Sequence, residues 1–136
     1  MKIAVRYYTR SGNTKKLAEA IAAAVGVEAH TTAVPLTEDV DVLFLGSSVY
    51  AGGVDEDVKR FIRSIDVQVD KVVNFSTAAV AKSTYRQVDK LLAEKSIQLA
   101  GDEFYCKGSF AILHKGRPNE ADCAAAAQFA KEVISK

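Results

Sequence analysis

Thr9-Arg10-Ser11-Gly12-Asn13-Thr14 decides how this chain is read. It follows an apolar, strand-like run (Ile3, Ala4, Val5, Tyr7) and leads directly into a helical pattern. A helix start presents backbone N–H groups without intrahelical partners, together with the positive end of the dipole, and both favour an anion. Lys15 and Lys16 occupy the first helical turn, where the dipole alone prefers Asp or Glu. With Arg10 they form a positive cluster that a bound phosphate would relieve. A plainer reading also fits: Ser11 or Asn13 caps the helix and the lysines are solvated.

Outward from this loop, strand-like and helix-like segments alternate. Residues 2–8 read as a strand, and Leu17, Ala18, Ile21 and Val25 recur at helical spacing until Gly26 stops the pattern. Residues 27–33 form a weaker strand. Val42-Leu43-Phe44-Leu45, within Asp41 to Gly46, is a continuous apolar run typical of a strand buried on both faces. Val54, Val58, Phe61, Ile62 and Ile65 mark a second helix, with Asp55, Glu56 and Asp57 at its start. Val72-Val73-Asn74-Phe75 is the next strand, and Ser83 can cap a helix carrying Val88, Leu91, Leu92 and Lys95. Residues 97–106 and 109–113 look extended, with Gly101 and Gly108 as bends or bulges. Asn119, with Asp122 three residues on, opens a last helix bearing Cys123, Ala126, Ala127, Ala130, Val133 and Ile134 on one face. The alanine-rich stretch 123–127 fits close packing of that helix on the sheet.

This alternation predicts a single α/β domain over residues 1–136, with a parallel sheet covered by helices on both faces. Only about eight residues, Ala33 to Val40, join the second and third strands, shorter than a usual crossover. Pro35-Leu36-Thr37-Glu38 supplies one helical turn at most.

Composition narrows the function. The formal net charge is +1, which gives no reason to expect a nucleic-acid or acidic-lipid partner. No apolar run is long enough to span a bilayer, and Met1-Lys2-Ile3-Ala4-Val5 reads as a strand and not as a signal peptide. Cys106 and Cys123 match no zinc or redox spacing; they read as buried, reduced thiols of a cytoplasmic protein, with one disulfide as the alternative. His30 and His114 read as surface or packing residues.

Ligands of open parallel sheets bind beyond the carboxyl ends of the strands, where the strand order reverses. Three loops of similar character lie there. The first is Thr9 to Thr14. The second, Ser47-Ser48-Val49-Tyr50-Ala51-Gly52-Gly53, carries hydroxyls, one aromatic and flexible glycines; the third, Ser76-Thr77-Ala78-Ala79-Val80-Ala81-Lys82, is small and mostly apolar. Together they suit a flat ring whose phosphate tail lies in the first loop. Neither G-x-x-x-x-G-K-[ST] nor G-x-G-x-x-G follows a strand, which argues against a P-loop or dinucleotide fold. No cysteine nucleophile follows the first strand, and the positions a receiver domain fills with carboxylates hold Tyr7-Tyr8-Thr9 and Gly46-Ser47. Asp39 and Asp41 fall at the opposite end of their strand.

The run Tyr7-x-Thr9-x-x-Gly12-x-Thr14, followed by Ala18 and Ile21, resembles the FMN-phosphate signature of the flavodoxin family, specifically its short-chain members. Leu45 to Gly53 is similar to the family's second flavin loop. Phe104-Tyr105-Cys106-Lys107-Gly108 and Gly116-Arg117-Pro118-Asn119-Glu120 also resemble flavodoxin-like proteins, so the likeness spans nearly the whole chain. It implies a doubly wound, five-stranded parallel sheet in the order 2-1-3-4-5, noncovalent FMN, and electron transfer to a redox partner protein or small-molecule acceptor. By position, it implies that the hydroxyls of Thr9, Ser11 and Thr14, and backbone N–H groups from Arg10 through Gly12 and Asn13 to Thr14, hold the phosphate. The ring would lie among Ser47, Ser48, Val49, Tyr50, Ala51, Gly52 and Gly53 and, on the other side, Ser76, Thr77, Ala78 and Ala79. Tyr50 is the aromatic that would stack on it, and the carbonyl of Ala51 or Gly52 would turn toward flavin N5.

Three features depart from the family pattern. Arg6 stands where an apolar residue is usual, the third loop lacks Tyr or Trp, and the chain is neutral where most electron-shuttling flavodoxins are acidic. An open ring face and a neutral surface leave two alternatives in view: an FMN oxidoreductase acting on a quinone- or porphyrinogen-type substrate, and an interaction module with weak or lost flavin binding.

Overall fold

The computed structural model describes residues 1–10, 12–50, 53–78, 84–107 and 118–135. Its elements are β1 (Ile3–Tyr7), α1 (Asn13–Val25), β2 (Ala29–Thr31), β3 (Val40–Tyr50), β4 (Gly53–Val54), α2 (Glu56–Ser64), β5 (Val69–Ala78), α3 (Tyr85–Glu94), β6 (Leu99–Lys107) and α4 (Glu120–Ile134). Five strands run parallel in the order β2-β1-β3-β5-β6, and β4 pairs antiparallel with the end of β3. With β4 set aside, this is the expected 2-1-3-4-5. The order reverses between β1 and β3, so the segments that leave these two strands flank the crevice.

Strand alternation sorts the core into two clusters. Val5, Tyr7, Val42, Phe44, Val73 and Phe75 face α1 and α4, packing with Leu17, Ile21, Ala126 and Ala130. Ala4, Leu43, Leu45 and Val72 face α2 and α3, packing with Val58, Phe61, Ile62, Val88 and Leu92. Helices therefore cover both faces. Gly26, at φ 78°, ends α1 as its C-cap. At the start of α4, Asn119 and Asp122 form a reciprocal capping box. Ala126 and Ala130 are buried, whereas Ala124 and Ala125 are exposed, so only one stripe of the alanine run packs.

Several boundaries differ from the expected ones. Ser47 to Tyr50 continue β3, and Ser76 to Ala78 continue β5, where loops were expected. Pairing decides it: Ser47 lies opposite Ser76 and Ser48 opposite Thr77, while Val49 and Tyr50 pair back onto Val54 and Gly53. No helix forms between β2 and β3. The N-cap of α3 is Thr84; Ser83 lies outside the described residues, as do 109–113, Gly108, His114, Gly116 and Arg117. Gly101 does mark an irregularity: Leu99 and Glu103 pair with Val72 and Asn74, so β6 spends four steps where β5 spends two. Cys106 and Cys123 are half-buried and not joined in a disulfide. His30 lies on β2 beside the Glu28 carboxylate, at 3.7 Å.

Arg6 explains how the short β2–β3 connection is held. It alternates with Val5 and Tyr7 and so lies on the α2/α3 face, where a crossover helix would pack. Its guanidinium donates to the carbonyls of Val34 (2.8 Å), Val5 (3.1 Å) and Pro35 (3.4 Å). Burial lowers its pKa from the usual arginine value without threatening its charge. Leu36 then turns into the core, and a groove of about 460 Å³ remains beside Arg6, His30 and Leu36. The departure at position 6 is thus a substitute for the missing helix: its donors satisfy the carbonyls of Val34 and Pro35, which helical bonding would have satisfied. Arg6→Ala should cost about 2 kcal/mol by urea unfolding; an unchanged midpoint would show that these bonds contribute nothing.

Candidate functional site

Among the described residues, the carboxyl ends of β1, β3 and β5 and the start of α1 together carry most of the buried polar side chains. α1 starts from Gly12, an N-cap at φ 89°, a conformation that favours glycine because it has no Cβ. A glycine cap offers no side chain, and Asn13 is the first helical residue, not the cap. The plainer reading of a capped helix therefore fails for Asn13; Ser11 lies outside the described residues. Thr9 Oγ1 accepts the Gly12 N–H at 3.1 Å, which bends the loop and leaves the Thr9 hydroxyl proton to donate elsewhere. Lys15 and Lys16 are exposed.

Three hydroxyls, one from α1 and one from each of the two strand ends, meet behind this loop. Thr14 Oγ1 lies 2.6 Å from Ser48 Oγ and 3.0 Å from Thr77 Oγ1, and the latter two are 3.1 Å apart. Thr14 is fully buried, Thr77 2% exposed and Ser48 3% exposed, so water does not serve them. Three protons and three acceptors can close one ring of hydrogen bonds, with the Ser47 carbonyl a further acceptor for Thr14 at 3.4 Å. Gly46 makes the approach possible. A Cβ there would overlap the ring of Phe75 and sit 2.9 Å from Thr14 Cγ2. Phe75 is fully buried and cannot swing away.

A second polar chain ties the start of α3 to β3, β5 and β6. Ser47 Oγ donates to Thr84 Oγ1 at 2.8 Å, and Asn74 Nδ2 reaches Thr84 Oγ1 at 3.1 Å and Glu103 Oε2 at 3.3 Å. Thr84 stands at the N-cap of α3 but makes no capping bond, because its hydroxyl serves Ser47 and Asn74. Thr84, where α3 begins, is thereby tied to β3 and β5. Ser76 Oγ, fully buried beside this chain, has no hydrogen-bond partner. Asp55 Oδ2 is the other buried side-chain atom without one among the described residues.

Arg10 differs from expectation in an informative way. Its Nη2 and Nε lie 2.7 and 3.0 Å from Asp55 Oδ1, so its charge is already answered by a carboxylate at the N-cap of α2. The positive cluster awaiting an anion is reduced to Lys15 and Lys16. Tyr8 packs nearby, its hydroxyl pushed up by desolvation and by Asp57 and Asp55. Tyr105 is 49% exposed on the edge strand, a rim position.

Of the expected site residues, Thr9, Arg10, Gly12, Asn13, Thr14, Ser47, Ser48, Ser76 and Thr77 converge on this end of the sheet. Val49, Tyr50, Gly53 and Ala78 contribute described backbone in β3, β4 and β5, but their side chains, including the expected stacking ring of Tyr50, lie outside what is described. Ser11, Ala51, Gly52 and Ala79 lie outside the described residues altogether. Asp55, Asn74 and Thr84 were not anticipated. Asn74 did leave a signal, since an amide within Val72-Val73-Asn74-Phe75 must find partners if that strand is buried on both faces.

The profile of the flavodoxin domain family matches residues 4–111, well over half of the chain. The chain belongs to the flavodoxin family. An uncharacterized protein of Methanocaldococcus jannaschii is 28% identical over 90% of both chains. Among solved structures, a flavodoxin from the domain Archaea superposes with a TM-score of 0.80 at 15% identity, covering 99% of this chain and 97% of that one. Flavodoxin 1 from Bacillus cereus superposes with a TM-score of 0.74 at 18% identity, covering 99% and 98%. At such identities these two likenesses establish the fold. This flavodoxin-family chain shares the doubly wound sheet, and none of its described helices is long and apolar enough to cross a membrane.

The donor set fits a phosphorylated flavin. The start of α1, which carries no side-chain cap, a spare Thr9 proton and the unpartnered Ser76 Oγ all lie at one end of the sheet, where the strand order reverses. Replacing Thr14 with Val keeps its shape and removes one member of the hydroxyl ring. The loss should be about 1–3 kcal/mol in chemical unfolding, with Thr14→Ser recovering most of it. Equal loss from both variants would show that shape, not the hydroxyl, holds this junction. Gly46→Ala should cost a similar 1–3 kcal/mol through overpacking against Phe75, and a variant as stable as the parent would contradict the close approach of α1 to β3.

Proposed function

We propose that this chain is an FMN-binding electron-transfer protein. The observation that carries the reading is the convergence of Thr14, Ser48 and Thr77, which fixes the start of α1 against the ends of β3 and β5. That junction aligns an uncapped helix start with two strand ends. In this reading the phosphate is taken by the first-turn N–H groups of Asn13, Thr14 and Lys15 and by the Thr9 hydroxyl. The Thr14 hydroxyl has a different task. Its one proton has acceptors within the buried ring and at the Ser47 carbonyl, so in this reading it shapes the loop from behind and leaves the ligand to the other donors.

The ring system would lie over the ends of β3 and β5, between the segments that follow them. There Ser76 Oγ can donate to a ring oxygen or accept from a ring N–H. When bound, FMN supplies one- and two-electron chemistry, and the protein sets its potential by hydrogen bonds and nearby charge. The buried chain from Ser47 through Thr84 to Asn74 fixes where α3 begins relative to β3 and β5. A net charge of +1 gives little long-range steering toward a charged partner protein. That observation favours, as the second reading, a small-molecule acceptor such as a quinone, which needs no charged docking face.

Titrating the purified protein into FMN should quench the flavin fluorescence saturably. Thr9→Val should weaken that affinity roughly ten- to hundredfold, the value of one donor to a charged group. Unquenched FMN at protein concentrations well above the ligand would overturn the reading. Reduced nicotinamide and a panel of quinones then separate the two roles, because a pure carrier turns none of them over by itself.

A further inference from the structure

Asp55 is buried to all but 3% of its side chain, yet its partner is Arg10, which is 60% exposed. Both guanidinium contacts, at 2.7 and 3.0 Å, fall on Oδ1, and Oδ2 has no partner. Asp55 is also the N-cap of α2 and makes no capping bond there. A carboxylate at that position ordinarily turns onto its own helix. Here it is turned toward the first loop, away from the task its position would give it.

The consequence is electrostatic. Arg10 belongs to the loop assigned to the phosphate, and a full positive charge there would attract a dianion strongly in a partly desolvated site. Asp55 cancels that charge. With Lys15 and Lys16 exposed, the phosphate would meet backbone dipoles and neutral hydroxyls more than a cation. We propose that Asp55 is a specificity-determining residue: by holding Arg10 it sets how strongly the first loop prefers a phosphorylated flavin to an unphosphorylated one. This rests on the flavin reading above and adds a residue and a sign to it.

Asparagine at position 55 keeps the size of the side chain and an acceptor for Arg10 while removing the negative charge. The loop then gains one net positive charge. FMN should bind about tenfold more tightly to Asp55→Asn at low salt. Riboflavin, with the same ring and polyol but no phosphate, should bind as it does to the parent. Arg10→Gln should do the reverse, leaving Asp55 uncompensated and weakening FMN about tenfold with little effect on riboflavin. In the double variant Arg10→Gln/Asp55→Asn, both charges are gone and the preference should return close to that of the parent.

The test is the ratio of riboflavin to FMN dissociation constants for the parent and these three variants, by fluorescence titration at low ionic strength and in about 1 M salt, where screening acts within a few ångströms. The proposal requires the ratio to rise, fall and return in that order, with the differences shrinking in high salt. Two results overturn it while leaving flavin binding intact: both flavins shifting together, as loss of loop structure would produce, or a ratio that none of the variants moves. A parent that binds neither flavin overturns the flavin reading itself, and this proposal with it. If Asp55→Asn does not fold, Arg10→Gln decides alone, since a ratio that does not fall contradicts the proposal.

Discussion

The buried ring of hydroxyls from Thr14, Ser48 and Thr77 is the constraint on which this end of the molecule depends. Parallel strands stop at their carboxyl ends with nothing in the sheet itself to fix where the next segments go. Here the first turn of α1 is bonded to the last pairs of β3 and β5, so three segments far apart in sequence share one junction. The ring can be completed without water or ligand, and a satisfied polar network of this kind orders its surroundings where a half-satisfied one would cost stability. Gly46 and Phe75 set the other side of the same junction. The absent Cβ of Gly46 brings Thr14 within reach, and the buried ring of Phe75 fills the space that remains.

Around that junction the chain spends polar side chains as structural ties more than as ligands. Arg6 stands in for a crossover helix by donating to two carbonyls of the β2–β3 connection, those of Val34 and Pro35. Asn74 and Thr84 hold the beginning of α3, and Asp39 and Asp41 tie the opposite end of the sheet by accepting from the backbone of Gln68 and Lys2. Net neutrality follows the same economy, since the one cation inside the first loop is matched by Asp55.

The fold was legible because its periodicities do not conflict. Apolar runs such as Val42 to Leu45 are short and rich in strand-forming residues, as strands buried on both sides are, and the helices between them carry clear apolar stripes. The strand ends were misread for a physical reason. Ser47-Ser48 and Ser76-Thr77 have the composition of loops, but pairing between β3 and β5, which no local signal encodes, carries them on as strand. The missing second helix could be suspected from eight residues of connection, whereas Arg6 as its replacement could not, because its carbonyl partners become neighbours only in the folded chain. The turn of the first loop into α1 was legible from its glycine and hydroxyls. Its charge was not: Arg10 looked available until Asp55, forty-five residues away, was seen beside it.

The central claim is that this junction exists to hold a flavin phosphate against the end of the sheet. The most direct measurement is the visible absorption spectrum of the protein purified without added cofactor, followed by identification of whatever it releases on denaturation. The account predicts flavin bands and release of FMN, with riboflavin and FAD minor or absent. A yellow protein that releases only FAD or riboflavin would contradict it, and so would a colourless protein that stays colourless after incubation with excess FMN.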